Sequence, residues 1–325
     1  MRALGRDNYM KYYNPIEQDG IADEILRICG ATNAVYSNKS MIARLNAALD
    51  RYWFLVSESA PKGTADDINQ TSLPVETQNL VAGTNAYKIS SFTNKVLQIL
   101  KLSILDDDAQ EFDIYREDFE SLLKFQELYS TDVADRGTPQ YWTKMGDYIY
   151  LRPCPDYSEI NGLRAYVNRE MSKFTFVSFT VAVTDLFTAT AHGLLENDAL
   201  IFESDGTIPT GITADTVVYY VIASGLTADA FKVSATIGGS TIDVTDTGTG
   251  NHKFLKVSKE PGVPVIHHPY LARQAALPYL IENKLPQLNG VAVQIQQDEN
   301  AIIKYWSQRD KDLRNKITFK QRIFE

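Results

Sequence analysis

Residues 176–189 read FVSFTVAVTDLFTA, and the composition of the chain becomes strongly β-favouring at this point. Short runs rich in Val, Ile, Thr, Phe and Tyr, divided by Gly, Pro, Asn and Asp, are typical of strands joined by turns. Six such runs follow one another: Phe176–Val183, Leu186–Ala189, Ala199–Glu203, Val217–Ile222, Phe231–Ser234 and Thr241–Val244. The pattern predicts a small all-β sandwich or barrel over residues 174–258.

This β-rich stretch is also the most acidic part of the chain. Residues 175–257 contain three lysines, no arginine and nine acidic residues, a net charge of −6 within a chain whose net charge is −9. This charge balance argues against non-specific electrostatic binding of nucleic acid, because such binding needs an excess of Lys and Arg over much of the surface. Any contact with DNA is therefore expected to be local.

Helical patterns and further strands lie upstream. Residues 17–29 space their isoleucines three and four apart until Gly30, and a second apolar stripe runs from a polar cap at residues 37–40 to Pro61. Residues 61–77 are polar and rich in Gly, Asp, Asn and Pro, which predicts a long loop. Strands are predicted at Asn85–Ile89, Val96–Leu102, Tyr148–Pro153 and Leu163–Val167, and a short helix at Arg116–Phe125.

The helical period returns downstream of the β-rich stretch. One helix is expected to start at Pro269, with Pro278 kinking or ending it, and a last helix starts near Val291. Helices on both sides of a β-rich module predict an α+β fold. Residues 1–173 and 259–325 would form one helical domain with a small β-sheet, and a nested all-β domain would interrupt it.

Length and composition exclude several classes of protein. A chain of 325 residues is long enough for about two domains, each with its own hydrophobic core. Its apolar content of 44% is that of a globular protein, which argues against a disordered, collagen-like or coiled-coil chain. Its two cysteines fit no disulfide framework or zinc motif. No window approaches about 18 uninterrupted apolar residues and the start has no apolar signal core, so we expect neither a membrane span nor an export signal.

Residues that often carry chemistry are better explained here by structure. Asp106–Asp108 lacks the other positions of a calcium loop and predicts a solvated hairpin tip. His267 and His268 precede Pro269 without a metal-binding pattern, which favours a helix start. The chain contains no nucleophile motif, phosphate loop or dinucleotide fingerprint, so we predict no catalytic, cofactor or metal site and no enzymatic activity. Carboxylate pairs for glycoside chemistry stay open, because their spacing is spatial.

The last part of the chain reverses the charge balance. Residues 304–325 hold seven basic residues against three acidic ones, a net charge of +4. One reading is a solvated helix face with a frayed end, and the other is a tail that docks on an acidic partner or on DNA phosphates. The candidate docking residues are Arg309, Lys311, Arg314, Lys316, Ile317, Phe319, Lys320, Arg322, Ile323 and Phe324.

Several segments together resemble a known family. They are the helix pair ending in Arg51-Tyr52-Trp53-Phe54, the strand start at Leu80–Ile89, the turn at Gly137–Trp142 and the segment Tyr148–Pro155. With the closing helices, these segments are similar to the head-to-tail adaptor proteins of tailed bacteriophages, also described as neck, connector or tail tubular protein A-like proteins. Residues 175–257 look like the small Ig-like or FCCH-like β-modules that recur as insertions in phage structural proteins.

The resemblance implies a function in assembly. Adaptors of this family form a ring, commonly of about twelve copies, between the portal and the tail, at the neck of a virion whose proteins are made in the host cytoplasm. The implied partners are further copies of the chain, the portal protein through the basic tail, the next tail or nozzle protein through the sheet and its loops, and, transiently and without sequence specificity, the genomic DNA in the channel. No membrane partner is implied.

A second function stays open for the β-rich module. Its aromatic residues are able to stack on sugars, which predicts a carbohydrate- or host-surface-binding virion protein as the alternative. At alternating strand positions, however, aromatic side chains more often belong to a core. The aromatic residues concerned are Phe187, Phe202, Tyr219, Tyr220 and Phe231.

Overall fold

The computed structural model describes residues 10–14, 17–60, 65–118, 133–215 and 217–308. The chain divides into two units. One consists of residues 60–171, and the other joins residues 1–59 to residues 172–325. The first unit contains an open sheet, and the second contains the helices and a barrel.

The unit of residues 60–171 is built on a seven-stranded sheet. Its strands are β1 (Val75–Leu80), β2 (Ala86–Lys88), β3 (Val96–Leu105), β4 (Glu111–Arg116), β5 (Tyr141–Met145), β6 (Tyr148–Arg152) and β7 (Glu159–Arg169). They lie in the order β1-β7-β3-β4-β5-β6-β2. Every neighbouring pair is antiparallel except β4 and β5, which are parallel.

One face of this sheet forms an apolar core. The register places Leu102 of β3 opposite Ile114 of β4 and Ala165 of β7, and all three side chains are buried. Alternation along each strand repeats this arrangement, since side chains two residues apart share a face. Other buried members of the cluster on these strands are Leu80, Tyr87, Ile104, Trp142, Ile149, Leu151, Leu163 and Val167.

The end of β7 is held by a buried arginine. Arg169 is only 1% exposed, and its guanidinium donates hydrogen bonds to both carboxylate oxygens of Asp66, at 2.7 and 3.2 Å. The same group donates to the hydroxyl and to the carbonyl oxygen of Ser72, at 3.1 and 2.6 Å. These bonds satisfy a charge that burial would otherwise make costly.

The second unit contains four α-helices in the part that the structure describes. They are α1 (Ile21–Cys29), α2 (Asn38–Ser59), α3 (His268–Glu282) and α4 (Leu288–Gln308). Four of the five predicted helices are thus confirmed. Gly30 ends α1 in the left-handed region at φ +62°, as a C-terminal glycine should. Pro278 does not end α3, which continues through it to Glu282.

The helices pack through apolar stripes and one buried polar network. Small residues of α3, Ala272, Ala275 and Ala276, are completely buried and allow close approach of its neighbours. Trp306 of α4 donates its indole N–H to the hydroxyl of Tyr52 on α2 at 3.0 Å. The hydroxyl oxygen of Tyr52 in turn lies 2.9 Å from Nδ1 of His267. The network therefore links the two terminal parts of the chain.

The remaining strands close into a six-stranded barrel. They are β8 (Val177–Ala182), β9 (Leu186–Thr188), β10 (Ala199–Ser204), β11 (Tyr219–Ile222), β12 (Ala230–Ser234) and β13 (His252–Lys256). The order around the barrel is β10-β11-β12-β9-β8-β13. Closure leaves no unpaired edge strand, which removes a common route to edge-to-edge aggregation.

The predicted fold class is wrong in its balance of helix and sheet. The protein is mostly β, with sheets of seven and six strands, rather than a helical domain with a small sheet. Three strands of this sheet were not predicted. β1 begins inside the predicted loop of residues 61–77, and β5 begins within the turn at Gly137–Trp142. β4 alternates charged residues with Phe112 and Ile114 just before the predicted helix at 116–125. That helix lies mainly outside the described residues, and Arg116 is the last residue of β4.

One predicted barrel strand is also wrong. Five of the six β-favouring runs coincide with β8 to β12, but Thr241–Val244 forms only one isolated bridge, between Thr241 and Ser234. The sixth strand is β13, in the sequence HKFLK. Lys253 is exposed and Lys256 half-buried, while only Phe254 and Leu255 are buried apolar residues, so its pattern was weaker in sequence than a continuous apolar run.

Candidate interaction surfaces

The predicted docking tail cannot be placed in the fold. The described part of α4 ends at Gln308, and every candidate docking residue lies outside the described residues. These residues are Arg309, Lys311, Arg314, Lys316, Ile317, Phe319, Lys320, Arg322, Ile323 and Phe324. Their role therefore stays a prediction.

The acidic cluster at Asp106–Asp108 is a turn, as predicted. It joins β3 to β4, and one carboxylate oxygen of Asp106 accepts hydrogen bonds from the backbone N–H groups of Asp108 and Gln110, at 3.0 and 2.7 Å. Asp106 thus acts within the loop, in the manner of an Asx turn. No group of three or more His, Cys, Asp or Glu side chains in the described ranges is arranged to hold a metal ion.

The histidine pair is at a helix start, as predicted. His267 ends a 3₁₀ turn, Val265–His267, and His268 is the first residue of α3. Burial lowers the pKa of His267 to about 4, helped by the neighbouring His268. Nδ1 of His268 accepts a hydrogen bond from the backbone N–H of Met10, and its Nε2 lies 3.0 Å from the carbonyl oxygen of Val263. These contacts tie elements of the fold together.

Both cysteines are buried free thiols. Burial raises the pKa of Cys29 to about 11 and also raises the pKa of Cys154. A reactive cysteine needs a lowered pKa and access to solvent. The two residues therefore fit a structural role.

The aromatic residues of the barrel form its core. Phe187, Phe202 and Phe231 are completely buried, and Tyr219 is nearly so. Their rings contact one another and further phenylalanines at centroid distances of 5.3 to 5.5 Å. These four rings cannot stack on a ligand, and Tyr220 is half-buried.

On the face of the open sheet that lies away from its apolar core, aromatic side chains point outward. The register aligns Tyr115 of β4 with Tyr141 of β5, and Tyr141 with Arg152 of β6. Paired residues share a face, and so do residues two apart. We call this surface the tyrosine face and define it by seven residues: Lys88, Tyr115, Tyr141, Met145, Tyr148, Tyr150 and Arg152.

The tyrosine side chains form two pairs. Tyr115 and Tyr141 have ring centroids 6.5 Å apart, and Tyr148 and Tyr150 have centroids 6.3 Å apart, both with tilted rings. Tyr115 is 70% exposed and Tyr148 is 40% exposed, while the other two are partly buried. The pairs thus present a broad aromatic surface whose side chains already support one another.

On the same face of the sheet, next to the tyrosines, acidic and basic side chains of β3, β4 and β7 pair with one another. Glu111 accepts hydrogen bonds from Ser103, Arg164 and Tyr166, at 2.5 to 2.8 Å. The Ser103 hydroxyl is the main cause that lowers the pKa of Glu111, followed by the other two donors. Lys101 and Asp113 form a second ion pair, with Nζ and Oδ1 2.6 Å apart.

The tyrosine face has a different composition. None of the strands β2, β5 and β6 carries a carboxylate, and Lys88, Tyr115 and Tyr148 are exposed. Tyrosine, methionine and arginine are enriched in the cores of protein interfaces, and acidic residues are depleted there. The alternation YIYLR was visible in the sequence of β6, but only the cross-strand register shows that the tyrosines of three strands share one face.

No helix in the described part of the chain combines the length and the apolar character needed to cross a bilayer. Comparison of the chain with protein-family models and with curated proteins gives no match.

Proposed function

We propose that the chain is a structural virion protein that assembles, through contacts between copies, into a ring of about twelve between the portal and the tail. The observation that carries the assembly part of this proposal is the tyrosine face, whose composition is that of an interface core. The ring and its place at the virion neck come from the resemblance to head-to-tail adaptors.

The charge of the chain fits passage of DNA rather than retention. A net charge of −9 gives a ring little general attraction for phosphates, so genomic DNA would make only transient, non-specific contacts in the channel. The portal is proposed to bind the basic tail, and the sheet loops to meet the next tail protein. Six of the nine carboxylates in residues 175–257 are exposed: Glu196, Asp205, Asp215, Asp229, Asp243 and Asp246.

Electron microscopy of the purified full-length chain tests the assembly. Closed rings of uniform diameter are expected, and immunogold labelling of virions should place the protein at the collar between capsid and tail. Monomers at all concentrations, or labelling on the capsid or the tail tip, would contradict the proposal.

A truncation tests the portal contact. The described part of α4 continues to Gln308, and Trp306 is buried against Tyr52, so the chain should be cut after Gln308 to keep this contact. The truncated protein is expected to fold and to lose portal binding in a pull-down with purified portal. A variant with Arg309, Lys311 and Arg314 changed to Gln keeps the length and serves as the charge control. Full portal binding by the truncated chain would exclude the docking role.

A second candidate function rests on a groove in the barrel. The groove has a volume of about 560 Å³ and presents hydroxyl and amide groups that are able to hydrogen-bond a sugar. Its polar lining includes Ser178, Thr180, Thr188, Thr190, Thr247, Thr249 and Asn251. A glycan array with the full-length chain tests it. Binding that is lost in Thr190→Val but kept in Thr227→Val, outside the groove, would favour this function.

A further inference from the structure

A groove lies between α3 and α4, where the described part of the chain ends. Its volume is about 460 Å³, and we call it the α3–α4 groove. Two exposed apolar side chains border it, Ile266, which is 73% exposed, and Tyr305, which is 42% exposed. The apolar lining also includes Pro269, Tyr270 and Ile302. Apolar side chains exposed together beside a groove are typical of a surface that binds a protein segment.

The charges of the groove nearly cancel. Arg273 of α3 and Asp298 of α4 line it and form an ion pair with each other. Burial lowers the pKa of His267 to about 4, so its imidazole is neutral at pH 7. Lys304 lines the groove as an exposed cation. The lining therefore offers no uncompensated carboxylate to a basic segment, and apolar contact rather than charge decides what binds here.

The chain itself supplies an apolar segment close to the groove. Gln308, the last described residue of α4, lines the groove, so residues 309–325 start at its rim. Within them, residues 317–324 read ITFKQRIF. The apolar members of this segment are Ile317, Phe319, Ile323 and Phe324. A segment tethered this closely has a high effective concentration at the groove, which a separate partner lacks.

The connection is long enough for this segment to return along α4. The residues of α4 that line the groove run from Asp298 to Gln308, a length of about 15 Å at 1.5 Å per residue. Residues 309–316 precede the apolar segment and, when extended, span up to about 26 Å at 3.3 Å per residue. A connection of this length can reverse direction and still reach the far end of the groove.

We propose that the α3–α4 groove binds residues 317–324 of its own chain. The apolar side chains of the segment cover Ile266 and Tyr305, while Lys320 and Arg322 stay in water, because the groove has no free carboxylate for them. This inference goes beyond the proposed ring and does not depend on it. If the tail also binds the portal, the groove and the portal compete for the same residues.

Site-specific photocrosslinking of the full-length chain tests this contact. Benzoylphenylalanine replaces Tyr305, and the matched control carries it at Ile303, which is on the same helix and 40% exposed but does not line the groove. Mixing isotope-labelled and unlabelled copies separates crosslinks within one chain from crosslinks between copies. The Tyr305 position is expected to crosslink to peptides from residues 317–324 of the same chain, and the Ile303 position is not.

Hydrogen exchange of the full-length chain provides a second measurement. Ile266→Asn removes apolar surface from the groove without adding a charge that would pair with the basic tail. It should raise the exchange rate of peptides from residues 317–324 about fivefold, because exchange follows the loss of the contact. Ile281→Asn makes the same change at an α3 residue that is 54% exposed and outside the groove, and should raise this rate less than about twofold. Unchanged melting temperatures would show that both variants fold.

The outcomes separate this inference from the proposed function. Crosslinks from Tyr305 to the tail of another copy, or to no tail peptide at all, would overturn the inference and leave the proposed ring standing. Equal exchange of the tail peptides in both variants would also overturn it. Crosslinks to the tail of the same chain in a protein that forms no rings would support the inference and contradict the proposed function.

Discussion

The barrel and the open sheet use aromatic residues in opposite ways. In the barrel, five phenylalanines point inward, are at most 5% exposed and contact one another around a common centre. In the sheet, four tyrosines lie on the outer face, and two of them are exposed. The hydroxyl group explains the choice, since tyrosine keeps a polar partner in water while phenylalanine gains most from complete burial.

This difference separates stability from recognition. The barrel is a small closed unit whose core depends on a few large rings. The open sheet has an apolar core on its other face and a buried ion pair at the end of β7, so its tyrosines are not needed to hold the fold. Substitutions in the two aromatic groups should therefore affect different measurements.

The largest expected effect is in the barrel core. Phe231 is completely buried, and its ring lies 5.4 Å from that of Phe187 and 5.3 Å from that of Phe254. Phe231→Ala should lower the free energy of unfolding by about 4 kcal/mol, because it leaves a cavity among these rings. Hydrogen exchange of barrel peptides in denaturant measures the loss.

A milder variant guards against complete unfolding of the barrel. Phe231→Leu retains most of the volume and should cost about 1.5 kcal/mol. Equal protection of the barrel peptides in wild type and in both variants would show that the aromatic cluster does not hold the barrel together.

The second largest effect is in the sheet, at Arg169. Replacing it with Met removes four hydrogen bonds and leaves the Asp66 carboxylate without its guanidinium partner. Asp66 retains some contact with water, so the expected loss is about 2 kcal/mol rather than the larger value of a fully buried pair. Hydrogen exchange of peptides from β1 and β7 reports it, while barrel peptides should be unaffected. Protection lost equally in both regions would show that they unfold together.

Local periodicity predicted the helices and most of the barrel strands. The stripe from Ile42 to Val56 and the isoleucines of α1 each place one apolar face toward a core, and this information is contained in neighbouring residues. Strands with one solvated face were harder to predict. β1 reads VETQNL and lies at the edge of the sheet, where a polar exterior is tolerated, so its composition was close to that of a loop.

The tyrosine face could not be predicted from the sequence, because its residues are far apart along the chain. Tyr115 and Tyr141 are separated by 26 positions, and only the parallel pairing of β4 with β5 brings them together. The absence of carboxylates from β2, β5 and β6 likewise becomes visible only when these three strands are aligned. The basic tail, by contrast, was detectable from composition alone, because its charge and apolar residues are consecutive.

A small, pH-dependent effect is expected at Glu111. Its folded-state pKa is lowered below the ordinary value of 4.5, so its contribution to stability is present above that pH and is lost as the pH falls through the folded pKa. Because the side chain is partly solvated, Glu111→Gln should cost about 0.5 to 1 kcal/mol at pH 7, and this cost should shrink as the pH falls below 4.5. Asp107→Asn, an exposed carboxylate at the β3–β4 turn, is the matched control. An identical pH profile for both variants would contradict the role of the Glu111 network.

The smallest effect on folding, and the sharpest test of the comparison, is at Tyr115. Its side chain is 70% exposed, so Tyr115→Ser should change the free energy of unfolding by no more than about 0.5 kcal/mol. The same substitution should weaken self-association at least tenfold, because truncation of an aromatic anchor at an interface typically costs more than 1 kcal/mol of binding. Denaturant unfolding and sedimentation equilibrium measure the two quantities on one sample. A loss of stability without a loss of association would mean that the tyrosines of the sheet serve the fold, as the phenylalanines of the barrel do.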